Sequence, residues 1–417
     1  MTPVGVLRGS RPRRVVRHAP FGTGRLVLAL LVLISLGLAF APAVQAAPPD
    51  KPAPTVMTRN QYLGAEIQSL AAAPDPPAFF AALREALVQI AENNFPERAR
   101  ALAREIADTR PDIVGLQEVW DFQINGDNGP PPFVDHLAET LAALEELGTP
   151  YVAVASVRNL DLTVPADLSG DGVPDAAVTT IDRDVILVRK ALADAGAAVP
   201  VPLSAFCERP SADLGPGCNY RVVLVAPTPL GPVAFERGYV AVDLTVKGET
   251  YRFVNTHLEV ELPDPRQPMS RLVQAVQATE LKAILEAVTP PGLPLIVVGD
   301  INSSPVDPLF PDPVAGPFVP PYRQFVQGKT YDGRDAPGGP WIDTWTLRPG
   351  RPPGYTSGQA EDLRNPVSML SKRIDIVFTR EPPARVKANL VGDSPEDKTP
   401  SGLWPSDHAG VWTRLWF

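Results

Sequence analysis

The stretch LPLIVVGDINSSP, residues 293–305, says the most about how this chain folds. An uninterrupted apolar run is typical of a strand buried on both faces, and this run ends at Gly299. Asp300 and Asn302 follow at i, i+2, so a continuing strand would place both on one side. A carboxylate and an amide carbonyl are oxygen ligands suited to Mg²⁺ or Mn²⁺. A polar turn that merely ends the strand has the same composition, so both interpretations stay open at this point.

Strand-like and helix-like segments run through the whole chain around this stretch. The predicted strands are 56–60, 112–116, 150–157, 184–189, 221–226, 238–246, 251–259, 294–300, 374–379 and 410–416. The predicted helices are 77–92, 96–109, 134–147 and 270–288. Strands outnumber helices without strict alternation, which favours an α/β sandwich of mixed sheets over a purely parallel fold.

A second polar cluster ends the segment YRFVNTHLEV, residues 251–260. Strand alternation puts Asn255, His257 and Glu259 on one face. A single histidine on a strand is more often structural than catalytic, but here an amide and a carboxylate share its face. The segment therefore leaves a structural and a catalytic role for His257 equally open.

The C-terminal region adds an aspartate within a strand and an Asp-His pair. In RIDIVF, residues 373–378, Asp375 lies inside an apolar strand and needs a polar partner to be tolerated there. SDHAG, residues 406–410, offers one, because a carboxylate such as Asp375 can hold the imidazole of His408 in one tautomer. Asp407 points in a different direction from its neighbour, so one of the pair can bind a metal ion while the other meets the substrate.

Two further motifs complete an ordered set, Asn60 in TRNQYLG and Glu118 in GLQEV. Histidines as general acid and base, with carboxylates holding a cation, are what the hydrolysis of a phosphate ester needs. As an ordered group, these motifs resemble the endonuclease/exonuclease/phosphatase superfamily. That superfamily includes DNase I-like nucleases, abasic-site endonucleases, inositol polyphosphate 5-phosphatases and bacterial neutral sphingomyelinases.

The resemblance covers nearly all of residues 55–417 and implies a DNase I-like fold. That fold is a four-layer α/β/β/α sandwich, in which helices flank two mixed β-sheets. By motif, the resemblance implies that Glu118 and Asp407 bind Mg²⁺ or Mn²⁺. The catalytic residues that it implies are His257, His408, Asp375, Asn60, Asp300 and Asn302. Arg237 in FERGYVAV resembles an arginine that contacts the substrate phosphate.

Two points stay open around the segment 160–182, which looks like an insertion, and the strand IDRDVILV that follows it, residues 181–188. The acid that pairs with His257 is either Asp182 or Asp184, which share a strand face. The stretch DLSGDGVPD, residues 167–175, imitates the first half of a calcium-binding loop and offers a structural Ca²⁺ site. Position 12 of that loop is Val178 instead of glutamate, so a polar surface turn is the favoured interpretation.

The N-terminus predicts export. Residues 1–46 have the three parts of a signal peptide, namely an arginine-rich start, the apolar run LVLALLVLISLGLAF and a small-residue cleavage site after Ala46. Residues 47–54 form a Pro-rich linker, and residues 55–417 form one catalytic domain. Cleavage would remove six arginines and no acid, which takes the formal net charge from −9 to −15. In an oxidising compartment, Cys207 and Cys218 are expected to form a disulfide.

The substrate is less defined than the chemistry. The acidic balance and the lack of a clustered basic run count mildly against a secreted nuclease. A lipid-headgroup phosphodiesterase would use the apolar residues of LFPDPVAGPFVPPYRQF, residues 309–325, at a membrane, although such residues more often anchor the loop. A small phosphomonoester is the third alternative, and an inactive binding module of the same fold is the fourth. The protein is expected to be a monomer.

Overall fold

The computed structural model describes residues 52–126, 133–211, 213–261, 269–311 and 316–417. The predicted signal peptide, most of the Pro-rich linker and residues 312–315 of the 309–325 loop lie outside these ranges. Within them, no helix combines the length and the apolar character that crossing a membrane requires.

Seventeen strands and seven α-helices make up the described ranges. The strands are β1 (Thr55–Asn60), β2 (Ile113–Gln117), β3 (Asp121–Gly126), β4 (Val134–Asp135), β5 (Tyr151–Ala166), β6 (Ala176–Arg189), β7 (Ala198–Pro200), β8 (Cys218–Asn219), β9 (Leu224–Thr228), β10 (Gly231–Phe235), β11 (Gly238–Val246), β12 (Glu249–His257), β13 (Leu295–Asp300), β14 (Ile342–Asp343), β15 (Asp375–Thr379), β16 (Arg385–Val391) and β17 (Gly410–Trp416). The helices are α1 (Gln68–Ala72), α2 (Pro76–Glu92), α3 (Phe95–Thr109), α4 (His136–Glu146), α5 (Lys190–Asp194), α6 (Met269–Val288) and α7 (Pro321–Gln327). Three short 3₁₀ segments lie at Leu203–Ala205, Thr344–Leu347 and Pro395–Asp397.

Two large mixed sheets carry the fold. The first has eight strands in the order β16-β17-β1-β2-β6-β3-β4, with β5 also paired to β6. The second has seven strands in the order β14-β15-β13-β12-β11-β7, with β8 paired to β11. Each contains one parallel pair, β1 with β2 and β12 with β13, and the other pairings are antiparallel.

The main core lies between the two sheets. Val56, Ile186 and Val188 of the first sheet pack against the second sheet, where Phe253 and Val298 belong to the same buried cluster. Helices α3 and α4 cover the outer face of the first sheet, and helices α6 and α7 cover that of the second. The predicted four-layer α/β/β/α sandwich is therefore confirmed.

One buried amide joins the two sheets beneath the point where the polar motifs meet. The Asn255 side chain donates to the carbonyls of Leu116 (2.8 Å) and Val185 (3.2 Å), which belong to the opposite sheet. Its oxygen accepts a hydrogen bond from Gln117 Nε2 at 2.6 Å. Because a buried amide is costly unless it is hydrogen-bonded, these contacts fix the sheets in one register.

The segment 160–182 extends β5 and β6 into a long antiparallel ribbon, and its turn lies at 167–175. The carboxylate of Asp167 accepts from the backbone N–H groups of Gly170 (2.7 Å) and Gly172 (2.9 Å). Asp175 likewise accepts from Leu168 N–H at 2.8 Å. Because these oxygens close the loop themselves, the residues fit the polar surface turn better than a calcium site.

The predicted disulfide between Cys207 and Cys218 is present. The 309–325 loop is held down by its own apolar side chains: Phe310, Phe318, Val319 and Tyr322 are buried, whereas Leu309 is exposed. Four of the five residues that would have faced a membrane therefore anchor the loop instead.

Candidate active site

The polar motifs converge at one edge of the sandwich. The parallel pairs β1/β2 and β12/β13 end at this edge, and β15 and β17 begin there. Across neighbouring strands, His257 pairs in register with Asp300, and Asp300 pairs with Asp375. The sequence thus places polar residues where each apolar strand stops, and the sheet brings them together.

Six of the predicted motif residues line a cavity of about 350 Å³, namely Glu118, His257, Asp300, Asn302, Asp407 and His408. Seven carboxylates face it, from Glu118, Asp182, Glu236, Glu261, Asp300, Asp307 and Asp407. The cationic side chains in its wall are Arg237 and Lys372. Such an excess of negative charge in a concave site attracts a cation and repels an anion that arrives without one.

His408 and Asp375 form a hydrogen-bonded pair in the cavity floor. The distance from His408 Nδ1 to Asp375 Oδ2 is 2.8 Å, so the predicted partnership is present. Burial on its own would lower the pKa of the His408 imidazole. The neighbouring carboxylates, above all that of Asp375, outweigh burial and raise this pKa well above its usual value.

His257 lies on the other side of Asp300. Oδ2 of Asp300 is 3.5 Å from His257 Nε2 and 3.8 Å from His408 Nε2, so one carboxylate oxygen lies between the two imidazoles. Burial raises the pKa of Asp300 to about 7, and the charge of Asp375 adds to the effect. Burial also lowers the pKa of His257 well below its usual value, with a contribution from Arg237.

Of the two acids that the sequence left open as partners of His257, Asp184 approaches its Nδ1, although the Asp300 carboxylate is the closer acid, at 3.5 Å from Nε2. Asp184 Oδ1 lies 4.0 Å from His257 Nδ1, whereas Asp182 lies 3.8 Å from the Arg237 guanidinium. Burial raises the pKa values of both acids, to about 7 for Asp182. At 4.0 Å the Asp184 contact is an electrostatic approach and is longer than a hydrogen bond.

Arg237 lies between the acids and His257. Its guanidinium is 3.1 Å from His257 Nδ1 and 3.7 Å from the carboxylate of Glu259. Arg237 also lines the cavity, and its contact with a substrate phosphate stays a prediction. In this structure, the positive charge of the Arg237 guanidinium lies within 4 Å of the carboxylates of Asp182 and Glu259.

Asn60 connects two of the predicted site residues. Its amide nitrogen donates to Glu118 Oε1 (3.0 Å) and to Asp300 Oδ2 (3.2 Å). Its oxygen accepts from the backbone N–H of Tyr62 at 2.8 Å. The side chain is completely buried, and its amide holds the two carboxylates in place.

Three of the eight described non-glycine residues with positive φ angles lie at this site. Tyr62, Glu118 and Asn302 adopt positive φ angles of 62°, 55° and 48°, which residues other than glycine rarely do. Such strain costs about 1–3 kcal/mol per residue and persists only where surrounding contacts enforce it. Asn302 is held by its amide nitrogen, which donates to Leu258 O at 3.0 Å and lies 3.1 Å from His257 Nε2.

The donor set fits a divalent metal ion. Glu118 and Asp407 both face the cavity, and burial raises the pKa of Asp407 to about 6 with Glu118 adding to the effect. Asp375 Oδ1 is buried and has no hydrogen-bond partner among the described residues. A bound cation would relieve the repulsion among these oxygens, which are the ligands that Mg²⁺ and Mn²⁺ prefer.

A second arrangement of possible ligands overlaps the first. Ligand atoms of Asp300, Asp375 and His408 lie within 4.8 Å of one another, which is close enough to hold an ion. This group contains neither Glu118 nor Asp407, the two ligands that the sequence predicted. Since His408 and Asp375 are already hydrogen-bonded to each other, we favour Glu118 and Asp407 as the ligands.

Most of the cavity lining was not among the sequence predictions. Examples with polar side chains are Tyr62, Trp120, Asn159 and Lys372. Lys372, Tyr62 and Trp120 lie within three residues of Asp375, Asn60 and Glu118 respectively, so proximity to a motif could have indicated them. Asn159 belongs to β5 and follows no recognisable motif.

Residues 90–408, more than half of the chain, match the model of the family described as Endonuclease/Exonuclease/phosphatase family. None of the curated proteins matches the chain significantly. Among solved structures, a family protein from Leptotrichia buccalis is 14% identical, with a TM-score of 0.46 and coverage of 88% of this chain and 100% of that one. A family protein from Bacteroides thetaiotaomicron is 15% identical, with a TM-score of 0.45 and coverage of 88% and 100%. Truncated TDP2 from Caenorhabditis elegans is 16% identical, with a TM-score of 0.44 and coverage of 88% and 98%.

Proposed function

We propose that this chain, which belongs to the endonuclease/exonuclease/phosphatase family and hydrolyses phosphoric ester bonds, is a secreted phosphodiesterase. We further propose that its activity depends on Mg²⁺ or Mn²⁺. The observation that carries the proposal is the convergence of two imidazoles on one carboxylate oxygen. His257 Nε2 and His408 Nε2 lie 3.5 Å and 3.8 Å from Asp300 Oδ2. Both histidines also line the same cavity, so one bound phosphate group could contact both.

Hydrolysis of a diester needs two proton transfers. A base takes a proton from water as the water oxygen bonds to phosphorus, and an acid gives a proton to the alkoxide oxygen as its bond to phosphorus breaks. We assign the first role to His408, whose Nδ1 is held by Asp375, and the second role to His257. Arg237 and Asn302 are assigned to the phosphoryl oxygens, which gain negative charge in the transition state.

The pKa directions set a condition on this assignment. Without a cation, carboxylates raise the pKa of His408, and a protonated imidazole cannot accept a proton. Positive charge bound among those carboxylates opposes their effect on His408. The assignment therefore requires that the ion is bound when His408 acts. Because burial lowers the pKa of His257, it also requires that the negative phosphate group lies beside His257, where it favours the protonated imidazole that gives its proton to the alkoxide.

Glu118 and Asp407 would hold the ion, and Asp300 with Asn302 would hold the substrate phosphate, the attacking water or a second ion. When bound, a divalent cation offsets the charge that builds up on the phosphoryl oxygens. Asn60 contributes by fixing the directions of Glu118 and Asp300.

An inactive binding module of the same fold is the competing function from another class. Such a module has no requirement for a complete set of acid, base and metal-binding side chains. The convergence of these groups in one cavity favours an enzyme.

We also propose that the protein is exported. This part of the proposal rests only on the signal-peptide pattern of residues 1–46. N-terminal sequencing of protein recovered from the culture medium tests it, and a mature start at Ala47 is expected. Intact residues 1–46 on cell-associated protein would contradict export.

Hydrolysis is tested with one substrate panel at fixed Mg²⁺ and Mn²⁺. The panel contains bis-p-nitrophenyl phosphate, p-nitrophenyl phosphate, plasmid DNA, sphingomyelin, phosphatidylcholine and inositol phosphates. We expect turnover of at least one diester, and loss of that turnover in excess EDTA. Turnover of monoesters alone, or full activity in EDTA, would contradict the proposal.

A further inference from the structure

An apolar groove lies beside the catalytic cavity. Helices α1 and α2 form one wall, and the ribbon of β5 and β6 forms the other, with β9 and β10 at one side. Its volume is about 100 Å³. The groove lies between two buried clusters, one around Trp120 and Ile90 and one around Phe79 and Leu83.

The chemistry of the groove is almost purely hydrophobic. No charged side chain belongs to its lining, and its polar side chains are Thr180, Thr228 and the Trp120 indole. Several of its apolar side chains stay only half-buried, namely Ile67, Leu70, Leu160, Leu162, Val233 and Phe235. Each square ångström of apolar surface left in water costs about 25 cal/mol, so an apolar occupant that covers these side chains is stabilised.

The groove is continuous with the catalytic cavity. Leu63, Ile67, Trp120, Leu160 and Phe235 line both. Trp120 is only 7% exposed, and its indole Nε1 has no hydrogen-bond partner among the described residues. A molecule bound at the catalytic residues can therefore extend into the groove past an unused N–H donor.

We propose that this groove binds an aliphatic chain of the substrate, so that the natural substrate is a phosphodiester of a lipid. The inference rests on the proposed phosphodiesterase activity and adds the substrate class to it. The phosphate group lies at His257 and His408, and the chain lies between α2 and the β5/β6 ribbon. The Trp120 indole donates to an oxygen near the junction between headgroup and chain.

A nucleobase fits this groove poorly. Its hydrogen-bonding edge would face leucine, isoleucine and phenylalanine side chains, and an unsatisfied polar group in such surroundings costs several kcal/mol. The catalytic cavity also holds seven carboxylates against one arginine and one lysine, which disfavours a polyanion with many neighbouring phosphates. An aliphatic chain meets neither obstacle.

The test is a series of p-nitrophenyl alkyl phosphates with methyl, butyl and hexyl groups, all below their micellar concentrations and at fixed Mg²⁺. Charge and leaving group are constant, so only the chain changes. Burial of one methylene contributes enough to change kcat/KM by about fourfold, so we expect at least a ~10-fold rise from methyl to hexyl. Thymidine 5′-p-nitrophenyl phosphate is the nucleotide arm, and it should be cleaved no faster than the methyl diester.

Two variants fill the groove from opposite walls, and one matched variant leaves it open. Ala71→Trp lies on α1 and Thr180→Phe on β6, and both positions are half-buried lining residues outside the catalytic machinery. Val88→Trp adds a similar ring to the exposed face of α2. We expect both filling variants to bring the hexyl diester down to the rate of the methyl diester, with methyl turnover unchanged. The Val88→Trp variant should retain the chain-length dependence.

The outcomes separate this inference from the proposed function. No turnover of any diester would overturn the phosphodiesterase proposal and this inference with it. Turnover of the methyl diester without dependence on chain length would overturn only the lipid inference. The same conclusion follows if the thymidine diester is the preferred substrate, or if Val88→Trp abolishes the chain-length dependence as the filling variants do.

Discussion

His408 Nδ1 lies 2.8 Å from Asp375 Oδ2, and both side chains are buried at the edge where β15 and β17 begin. The contact fixes the tautomer, because the Nδ1–H group donates its hydrogen bond to the carboxylate and Nε2 is left to face the cavity. The other oxygen, Asp375 Oδ1, has no hydrogen-bond partner among the described residues. Asp375 therefore acts through His408 as a positioning residue.

The Asp375→Asn variant removes the charge and keeps the shape. We expect kcat to fall roughly 10²-fold or more, since the amide can present N–H to Nδ1 and favour the wrong tautomer. KM and the urea midpoint of unfolding should change little. Steady-state kinetics against Asp161→Asn, an exposed aspartate paired with Arg158, checks the result. A kcat within threefold of the parent chain would contradict the role of Asp375.

The layers of the fold were predicted from the resemblance to a known family, and the residues at the strand ends from the sequence itself. A short apolar run such as 295–300 that ends in a turn favours a buried strand, and the polar residue after each such run marks the catalytic edge. The strands Asp121–Gly126 and Arg385–Val391 were missed, because each is polar on one face and carries glycine, asparagine or lysine. Tertiary pairing, with β6 and β17 respectively, is what makes them strands.

Contacts between distant segments were beyond the sequence. Nothing local distinguishes Asp182 from Asp184, because both lie on the same strand face. The approach of Asp184 to His257 depends on how the two sheets pack, and so does the junction between the catalytic cavity and the apolar groove at Leu160 and Phe235. Contacts between two packed sheets produce no regular pattern in the sequence, so they could not be predicted from it.

Cation binding distinguishes the two sets of candidate ligands. Glu118→Gln and Asp407→Asn should each weaken Mn²⁺ binding by at least ~10-fold, because each loses a charged oxygen ligand. Asp300→Asn should weaken it less. Isothermal titration calorimetry with Mn²⁺ measures this without turnover, and Asp161→Asn serves as the matched control. The reverse order would place the ion among Asp300, Asp375 and His408 instead.

Gly299 is required where the strand β13 approaches β12. A Cβ at this position would lie 1.9 Å from the Thr256 carbonyl oxygen, and the residue has a φ of +154°. Gly299→Ala should therefore lower the free energy of unfolding by roughly 2–4 kcal/mol. Gly292→Ala is the matched control, because its φ is +85° but nothing lies within 4 Å of its Cβ, and it should cost about 1 kcal/mol. Urea unfolding followed by tryptophan fluorescence measures both, and equal losses would mean that close approach is unimportant.

The two histidines should differ in their response to the leaving group. His257→Ala and His408→Ala should each lower kcat by roughly 10²–10⁴-fold, since each removes one proton transfer, while cation affinity stays nearly intact. The double variant should be far less impaired than the product of the single losses, because groups that act in one step are not additive. Replacing an alkoxide leaving group by p-nitrophenolate removes the need for an acid, so it should rescue His257→Ala and leave His408→Ala slow. Rescue of His408→Ala alone would exchange the two roles. Near-normal rates in both variants would mean that the imidazoles on either side of Asp300 take no part in the reaction.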